Sequence, residues 1–95
     1  MQAGSVYVLT NIVNGNQYVG LTTKTVAHRW SEHKTSANIG KNTYLYSALR
    51  KYGANAFDVL EYASAISAED LPWLERAVIE DLKPAYNQKI GRAHV

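Results

Sequence analysis

Tyrosine is the unusual residue in this chain, with seven Tyr against one Phe. Phe would serve a purely structural core, whereas each Tyr brings a hydroxyl that must be satisfied or used. Tyr7 and Tyr18 flank an Asn14-Gly15 pair, and Arg29 and His33 follow at a spacing that stacks them on one stripe of a helix. Further on, Glu75 falls inside an apolar stripe of Leu71, Leu74, Val78 and Leu82. An ionised carboxylate in such a stripe is costly unless it is paired or binds a metal. A guanidinium such as Arg29 can clamp a phosphate through two parallel hydrogen bonds. Each residue also has a plainer account. Strand tyrosines are usually structural, Arg29 and His33 can form a solvated helix face, and Glu75 can pair with Arg29.

The elements that must position these side chains follow from pattern. Ser5–Thr10 is β-branched and aromatic, hence a strand. Asn14-Gly15 predicts a two-residue type I′ turn, because that turn needs positive φ at both central residues. Gln17–Leu21 is then the return strand. This register pairs Thr10 with Val19 and Asn11 with Tyr18. It places Val6, Val8, Ile12, Val19 and Leu21 on a core face, and Tyr7, Leu9, Asn11 and Tyr18 on the other. The two tyrosines share a face but sit four residues apart along it, roughly 13 Å of rise.

Thr25 predicts an N-cap for a helix ending near Ala37, with Val26, Trp30 and Ala37 inward. A loop, Asn38–Lys41, precedes a second helix that starts at Asn42 or Thr43. That helix carries Leu45, Ala48, Leu49 and Tyr52 at helical spacing and ends at Gly53. Phe57–Tyr62 is a third strand. Ser67 with Asp70 resembles a capping box, Pro72 suits a first helical turn, and the third helix runs to about Leu82 before Pro84. Trp30, Trp73, Tyr44, Tyr46 and a surface His28 read as packing or solvated positions. The expected class is α+β: a three-stranded antiparallel sheet flanked by three helices, in the order β-β-α-α-β-α.

Bulk properties narrow the function classes. A chain of 95 residues fits one domain, and its ligand site should be a groove rather than a deep cavity. Net charge is +2 and pI about 8.9, which permits a polyanionic partner without requiring one. The absence of Cys excludes disulfides and thiolate metal sites. No apolar run reaches the ~18–20 residues of a membrane span, and the N-terminus lacks signal-peptide character. A cytoplasmic protein that does not engage membranes is the expectation. Within Ile90-Gly91-Arg92-Ala93-His94-Val95, the residues read like the translation of one frame of a widely used sequencing adapter. The domain is therefore expected over residues 1–91, and residues 92–95 are expected to be a non-native or disordered tail.

Ser5-Val6-Tyr7 and Tyr18-Val19-Gly20, joined by a hairpin, resemble the signature of the GIY-YIG nuclease family. The likeness extends through Arg29 with His33, through Leu49-Arg50-Lys51-Tyr52-Gly53 and Phe57, through Leu74-Glu75-Arg76 and through Tyr86-Asn87. It spans about residues 5 to 91. The departures are Ser5 for the first Gly and Val for both central Ile positions. Ile90-Gly91 also suits the closing segment of the family.

The resemblance implies a DNA endonuclease of the homing or phage mobile-element type, bacterial or phage-encoded. A phosphodiester hydrolase needs a base for water, positive charge for the pentacoordinate phosphate and stabilisation of the leaving oxygen. By that likeness Tyr7 is the general base, with its pKa depressed by a nearby cation such as Arg29. Tyr18 orients Tyr7 or the water, Arg29 clamps the phosphate, and His33 bonds phosphate or relays a proton. Glu75 binds Mg²⁺ or Mn²⁺. One carboxylate suffices, because Mg²⁺ keeps several waters. Lys24, Lys41, Asn42, Arg50, Lys51 and Asn87 are the candidate DNA contacts, with Asn87 alternatively holding the third helix. The hydroxyls, the guanidinium and the carboxylate must then reach one open surface. DNA is the expected partner of a monomer tethered to a separate DNA-binding domain. A catalytically idle DNA-binding domain of the same fold is the competing reading. A protein-interaction domain would instead show an exposed apolar patch and no basic groove.

Overall fold

The computed structural model describes residues 3–40 and 43–87. Lys41, Asn42, the Ile90-Gly91 segment and the expected tail lie outside them. The elements are β1 (Gly4–Asn11), β2 (Gln17–Thr22), α1 (Val26–Asn38), α2 (Tyr44–Tyr52), β3 (Phe57–Ala65) and α3 (Leu71–Leu82). The sheet is antiparallel, with β1 central between β2 and β3. This is the α+β arrangement expected from the sequence, with β3 running three residues beyond Tyr62 to Ala65.

Helix starts match their chemistry. Thr25 Oγ1 accepts from the His28 N–H and Thr43 Oγ1 from the Tyr46 N–H, so each caps its helix. Gly53 ends α2 at φ 86°, a left-handed conformation that favours glycine. Ser67 Oγ accepts from the Glu69 N–H, but it opens a short 3-10 turn ahead of α3 rather than α3 itself.

The hairpin corrects the expected register. Tyr18 pairs with Leu9 and Val19 with Val8, two residues away from the predicted partners. The Asn11 N–H reaches Asn16 C=O, so the loop is the four residues 12–15 and not a two-residue turn. Asn14 does not adopt positive φ; Gly15 alone in this loop does, at 79°. Local side-chain acceptors stabilise the wider loop, with Asn11 Oδ1 taking the Val13 N–H and Asn14 Oδ1 the Asn16 N–H. A shift of two residues preserves which face each side chain occupies. Ile12, expected on the core face, leaves the ladder and is 65% exposed.

Both faces of the sheet are covered. Tyr7 and Leu9 pack with Ala37, Leu45, Ala48, Leu49, Phe57 and Tyr86 beneath α1 and α2. Val6, Val8 and Val19 pack with Val78 of α3, bordered by Leu21, Leu74, Ile79 and Leu82. Burying each such aliphatic side chain contributes about 1.5–3 kcal/mol. The tyrosine face is thus a second core. Among the described residues, no helix is long and apolar enough to cross a membrane.

Candidate active site

The corrected register brings the two tyrosines together. Tyr18 lies two residues along the ladder from the level of Tyr7 rather than four, and their ring centroids are 6.3 Å apart. Tyr7 is paired with Gly20, and its ring lies over that glycine. A Cβ at Gly20 would collide with the Tyr7 hydroxyl and crowd the Tyr18 ring, so a side chain there would displace the hydroxyl pair. Gly4 is likewise constrained, because a Cβ would strike the Thr22 carbonyl and Leu71. Ser5 is buried and donates to Glu61 on β3, so its hydroxyl has a partner inside the sheet.

From α1, His33 meets this pair edge-on. It is 1% exposed, and its Nε2 lies 2.6 Å from the Tyr7 hydroxyl. Its Nδ1 lies 3.0 Å from the Tyr46 hydroxyl on α2. Burial, reinforced by the Arg29 charge, pushes the His33 pKa down to about 4, so the ring is neutral at physiological pH. With both ring nitrogens engaged inside the protein, His33 does not reach out to a phosphate. Of its two expected roles, relay fits this placement. Tyr46, expected only to pack, was the residue missed. The surplus of Tyr over Phe was its signal, but no periodicity reveals which tyrosine meets a histidine.

Arg29 stands at the mouth of the cluster, one helical turn before His33. Its charge and hydrogen bonding favour ionisation of Tyr7, as expected. Burial outweighs them, together with the neighbouring Tyr18, and the Tyr7 pKa lies above the usual phenol range instead of below it. Tyr18 is also pushed up, mainly by burial. Arg29 itself pairs with Glu32 at 3.1 Å, not with Glu75. Glu32 also holds Lys24 at 3.5 Å and His28 at 3.3 Å. Arg29, His28 and Glu32 border an open groove of about 370 Å³ along α1. The groove form, rather than a closed cavity, is what a small domain was expected to offer.

Glu75 arrives from α3, the helix on the opposite face of the sheet. Its negative charge adds a little to the upward shift of the Tyr18 pKa, well behind burial. It is half-buried, and desolvation raises its pKa. Among the described residues it forms no ion pair or hydrogen bond, so the expected alternative of a bridge to Arg29 is not realised.

The remaining candidates scatter. Lys24 is exposed near Arg29. Arg50 donates to the Ala37 carbonyl and to Ser47, bridging the ends of α1 and α2 away from the tyrosines. Lys51 is exposed beside the Tyr52 ring. Asn87, expected to hold the third helix or meet a phosphate, spends its amide on β2. Its Oδ1 accepts from the Val19 N–H at 2.7 Å and its Nδ2 donates to the Val19 C=O at 2.8 Å. It thereby closes the β2 edge next to Tyr18, as a neighbouring strand would. Trp73, expected to pack, is 72% exposed, with the Arg76 guanidinium 5.8 Å from its ring.

The profile of the GIY-YIG catalytic domain matches residues 3–89. The chain belongs to the GIY-YIG family. Two proteins of Invertebrate iridescent virus 6 are similar to this GIY-YIG domain. Protein 019R, uncharacterized, is 30% identical over 83 residues, covering 85% of this chain and 30% of the viral protein. The MSV199 domain-containing protein 146R is 29% identical over 83 residues, covering 85% of this chain and 34% of its own. The chain thus spans about a third of the length of these relatives. The fold is also that of the catalytic domain of intron endonuclease I-TevI. A mutant form of that domain superposes with a TM-score of 0.77 at 20% identity, over 100% of this chain and 98% of the other. A second structure, the catalytic domain of homing endonuclease I-TevI, gives 0.73 at 20% identity, over 94% and 99%.

Proposed function

We propose that this GIY-YIG domain is an endonuclease that hydrolyses DNA phosphodiester bonds with the help of a divalent cation, Mg²⁺ or Mn²⁺. The observation that carries the reading is the buried Tyr7–His33 hydrogen bond of 2.6 Å, set directly behind Arg29 at the rim of an open groove.

Arg29 is donor-only, so a backbone phosphate entering the groove exchanges with Glu32 for its guanidinium. That exchange matters for proton transfer. The Arg29 charge disfavours protonation of His33, and a phosphate anion offsets that charge. Tyr7, held protonated by burial, cannot act as a free phenolate. It serves as a base by passing its own proton to His33 Nε2 while its oxygen takes a proton from the attacking water. Tyr18 fixes the Tyr7 ring and offers a second hydroxyl to the water.

Glu75 is the residue suited to hold the cation. It is a lone half-buried carboxylate without a protein cation beside it among the described residues. A hydrated Mg²⁺ needs only one or two protein carboxylates, and when bound it supplies Lewis-acid stabilisation of the leaving oxygen. Lys24 adds charge for a neighbouring phosphate. DNA selection is assigned to a separate domain, in keeping with relatives about three times as long.

The test is nicking of supercoiled plasmid, compared with nicked and single-stranded DNA. Cutting is expected with Mg²⁺ or Mn²⁺ and not with chelator. Glu75→Ala should abolish cutting and leave DNA binding nearly intact. If neither metal nor Glu75 affects how the protein acts on DNA, it is an idle binder and the enzymatic reading fails.

A further inference from the structure

A largely buried chain of polar side chains is used only in part by the proposed chemistry. It runs from Tyr7 through both nitrogens of His33 to the Tyr46 hydroxyl on α2. We propose that Tyr46 is a positioning residue: its hydroxyl accepts the His33 Nδ1–H and so holds the ring in the one tautomer whose Nε2 is bare toward Tyr7. The contacts stand without the nuclease reading, but the choice of tautomer rests on it, through the proton that Tyr7 passes to His33.

The assignment follows from counting donors and acceptors. The Tyr7 hydroxyl faces Arg29, which can only donate, the Tyr18 hydroxyl, which can donate or accept, and His33, which in its neutral form has one acceptor nitrogen. To place its proton on the imidazole, Tyr7 needs Nε2 to be that acceptor. The Nδ1 must then carry hydrogen, and the Tyr46 oxygen lies 3.0 Å away to accept it. Tyr46 is half-buried, so it can accept from His33 and turn its own hydrogen to solvent. Tyr7 is 1% exposed and lacks that freedom.

The local structure fixes Tyr46 for this task. Thr43 caps α2 through the Tyr46 N–H itself, at 3.1 Å, which pins the residue in the first turn. The Tyr46 ring packs on His33 at a centroid distance of 5.7 Å. The groups facing His33 from each packed element are Tyr7 on β1, Tyr18 on β2, Tyr46 on α2, and Arg29 and Glu32 on α1. Glu32 is the one acid in that set, and it is turned to the Arg29 side. Tyr46 is therefore the group placed to accept from Nδ1. Once His33 has received the Tyr7 proton, the same bond stabilises the imidazolium, because both ring nitrogens then donate.

The experiment uses the metal-free domain labelled with ¹⁵N-histidine, read by long-range ¹H–¹⁵N correlation. Wild type should show His33 as the Nδ1–H tautomer. Tyr46→Phe should shift the population at least several-fold toward Nε2–H. Tyr7→Phe, which leaves Tyr46 in place, should keep Nδ1–H. A wild-type ring with hydrogen on Nε2 overturns the proposal, as does a Tyr46→Phe spectrum identical to wild type. These readouts need no DNA and no turnover. A domain that fails to nick plasmid would remove the nuclease reading while leaving the tautomer result to stand or fall alone. Where wild type does cut, Tyr46→Phe should slow it about tenfold, and unchanged cutting over the whole pH range would also count against the proposal.

Discussion

One strand, β1, presents two different chemistries to its two neighbours. Toward α1 and α2 it shows Tyr7, which is buried yet wired to His33, and toward α3 it shows Val6 and Val8, which pack in an aliphatic cluster. Strand alternation alone makes this division. The charges follow it. Six of the ten Lys and Arg but only one of the eight Asp and Glu precede Phe57, in the part of the chain that builds the tyrosine face. The rest of the chain supplies β3 and α3, and there acids dominate and Leu60, Ile66 and Trp73 stand exposed. Under the proposed function this balance favours a polyanion on the α1–α2 side, while α3 clamps the opposite face of the sheet and carries Glu75. Exposed apolar side chains, expected of a protein-interaction domain, occur in both parts: Ile12, Val13, Ile39 and Tyr44 before Phe57, and Leu60, Ile66 and Trp73 after it.

The largest effect should come from the tyrosine face. Tyr7→Phe is expected to lower plasmid nicking by about 10³-fold, the range for loss of a general base, with the far-UV spectrum unchanged. A variant that still cuts at the wild-type rate would break the division, because Tyr7 would then be a core residue like Val6. The matching change on the other face is Leu71→Ala, beside Gly4 and 2% exposed. It should cost about 2–5 kcal/mol of unfolding free energy in a denaturant titration. Cutting per folded molecule should fall far less than with Tyr7→Phe, since Leu71 adjoins the proposed site only through Glu75, one turn on along α3.

Next in size is an acid-labile term that belongs to His33. Its folded pKa of about 4 lies below the ordinary 6.5, so the unfolded chain binds the proton more readily. Stability is then fully present above pH 6.5 and is lost as pH falls toward 4. The loss amounts to at most about 3 kcal/mol. Thermal melts of wild type and His33→Gln across that window check it: the variant should lose less stability on acidification. Parallel curves would mean that the imidazole titrates alike in the folded and unfolded chain, so that burial does not hold it neutral as an acceptor for Tyr7.

These residues also show what a sequence alone conveys. Helix caps at Thr25 and Thr43 were legible because they depend on a hydroxyl two or three residues from its donor. The face shared by Tyr7 and Tyr18 was legible too, because it depends only on parity. Their proximity was not. The Asn11 and Asn14 side chains accept within the loop and donate to the distant Tyr86 hydroxyl, and the four-residue loop they stabilise sets the register behind the 6.3 Å ring separation. The raised pKa of Tyr7 was hidden for a similar reason. Arg29 could be named from sequence, but the burial that outweighs it comes from residues of α2 and β3 distant in the chain. Asn87 was identified as part of a motif, and only the fold revealed that it fastens the edge of β2.

The smallest effect should be the most informative about the seam between the two faces. Glu75 sits on the clamp helix, and burial raises its pKa. An acid raised in the folded state is a destabilising group wherever it is ionised in both states. The penalty is absent at low pH, develops as pH rises above 4.5, and is complete above the folded pKa. Glu75→Gln should therefore melt modestly higher than wild type at pH 7 and match it near pH 3. Adding Mg²⁺ at pH 7 should raise the wild-type melting temperature, because a ligand that binds the folded state stabilises it, and should leave the Gln variant where it was. Together the two shifts would identify Glu75 as a group kept in an aliphatic layer against stability for the sake of a cation. If Gln is less stable than Glu and Mg²⁺ moves neither protein, the carboxylate is serving the clamp, and the division between a chemical face and a structural one is complete at α3.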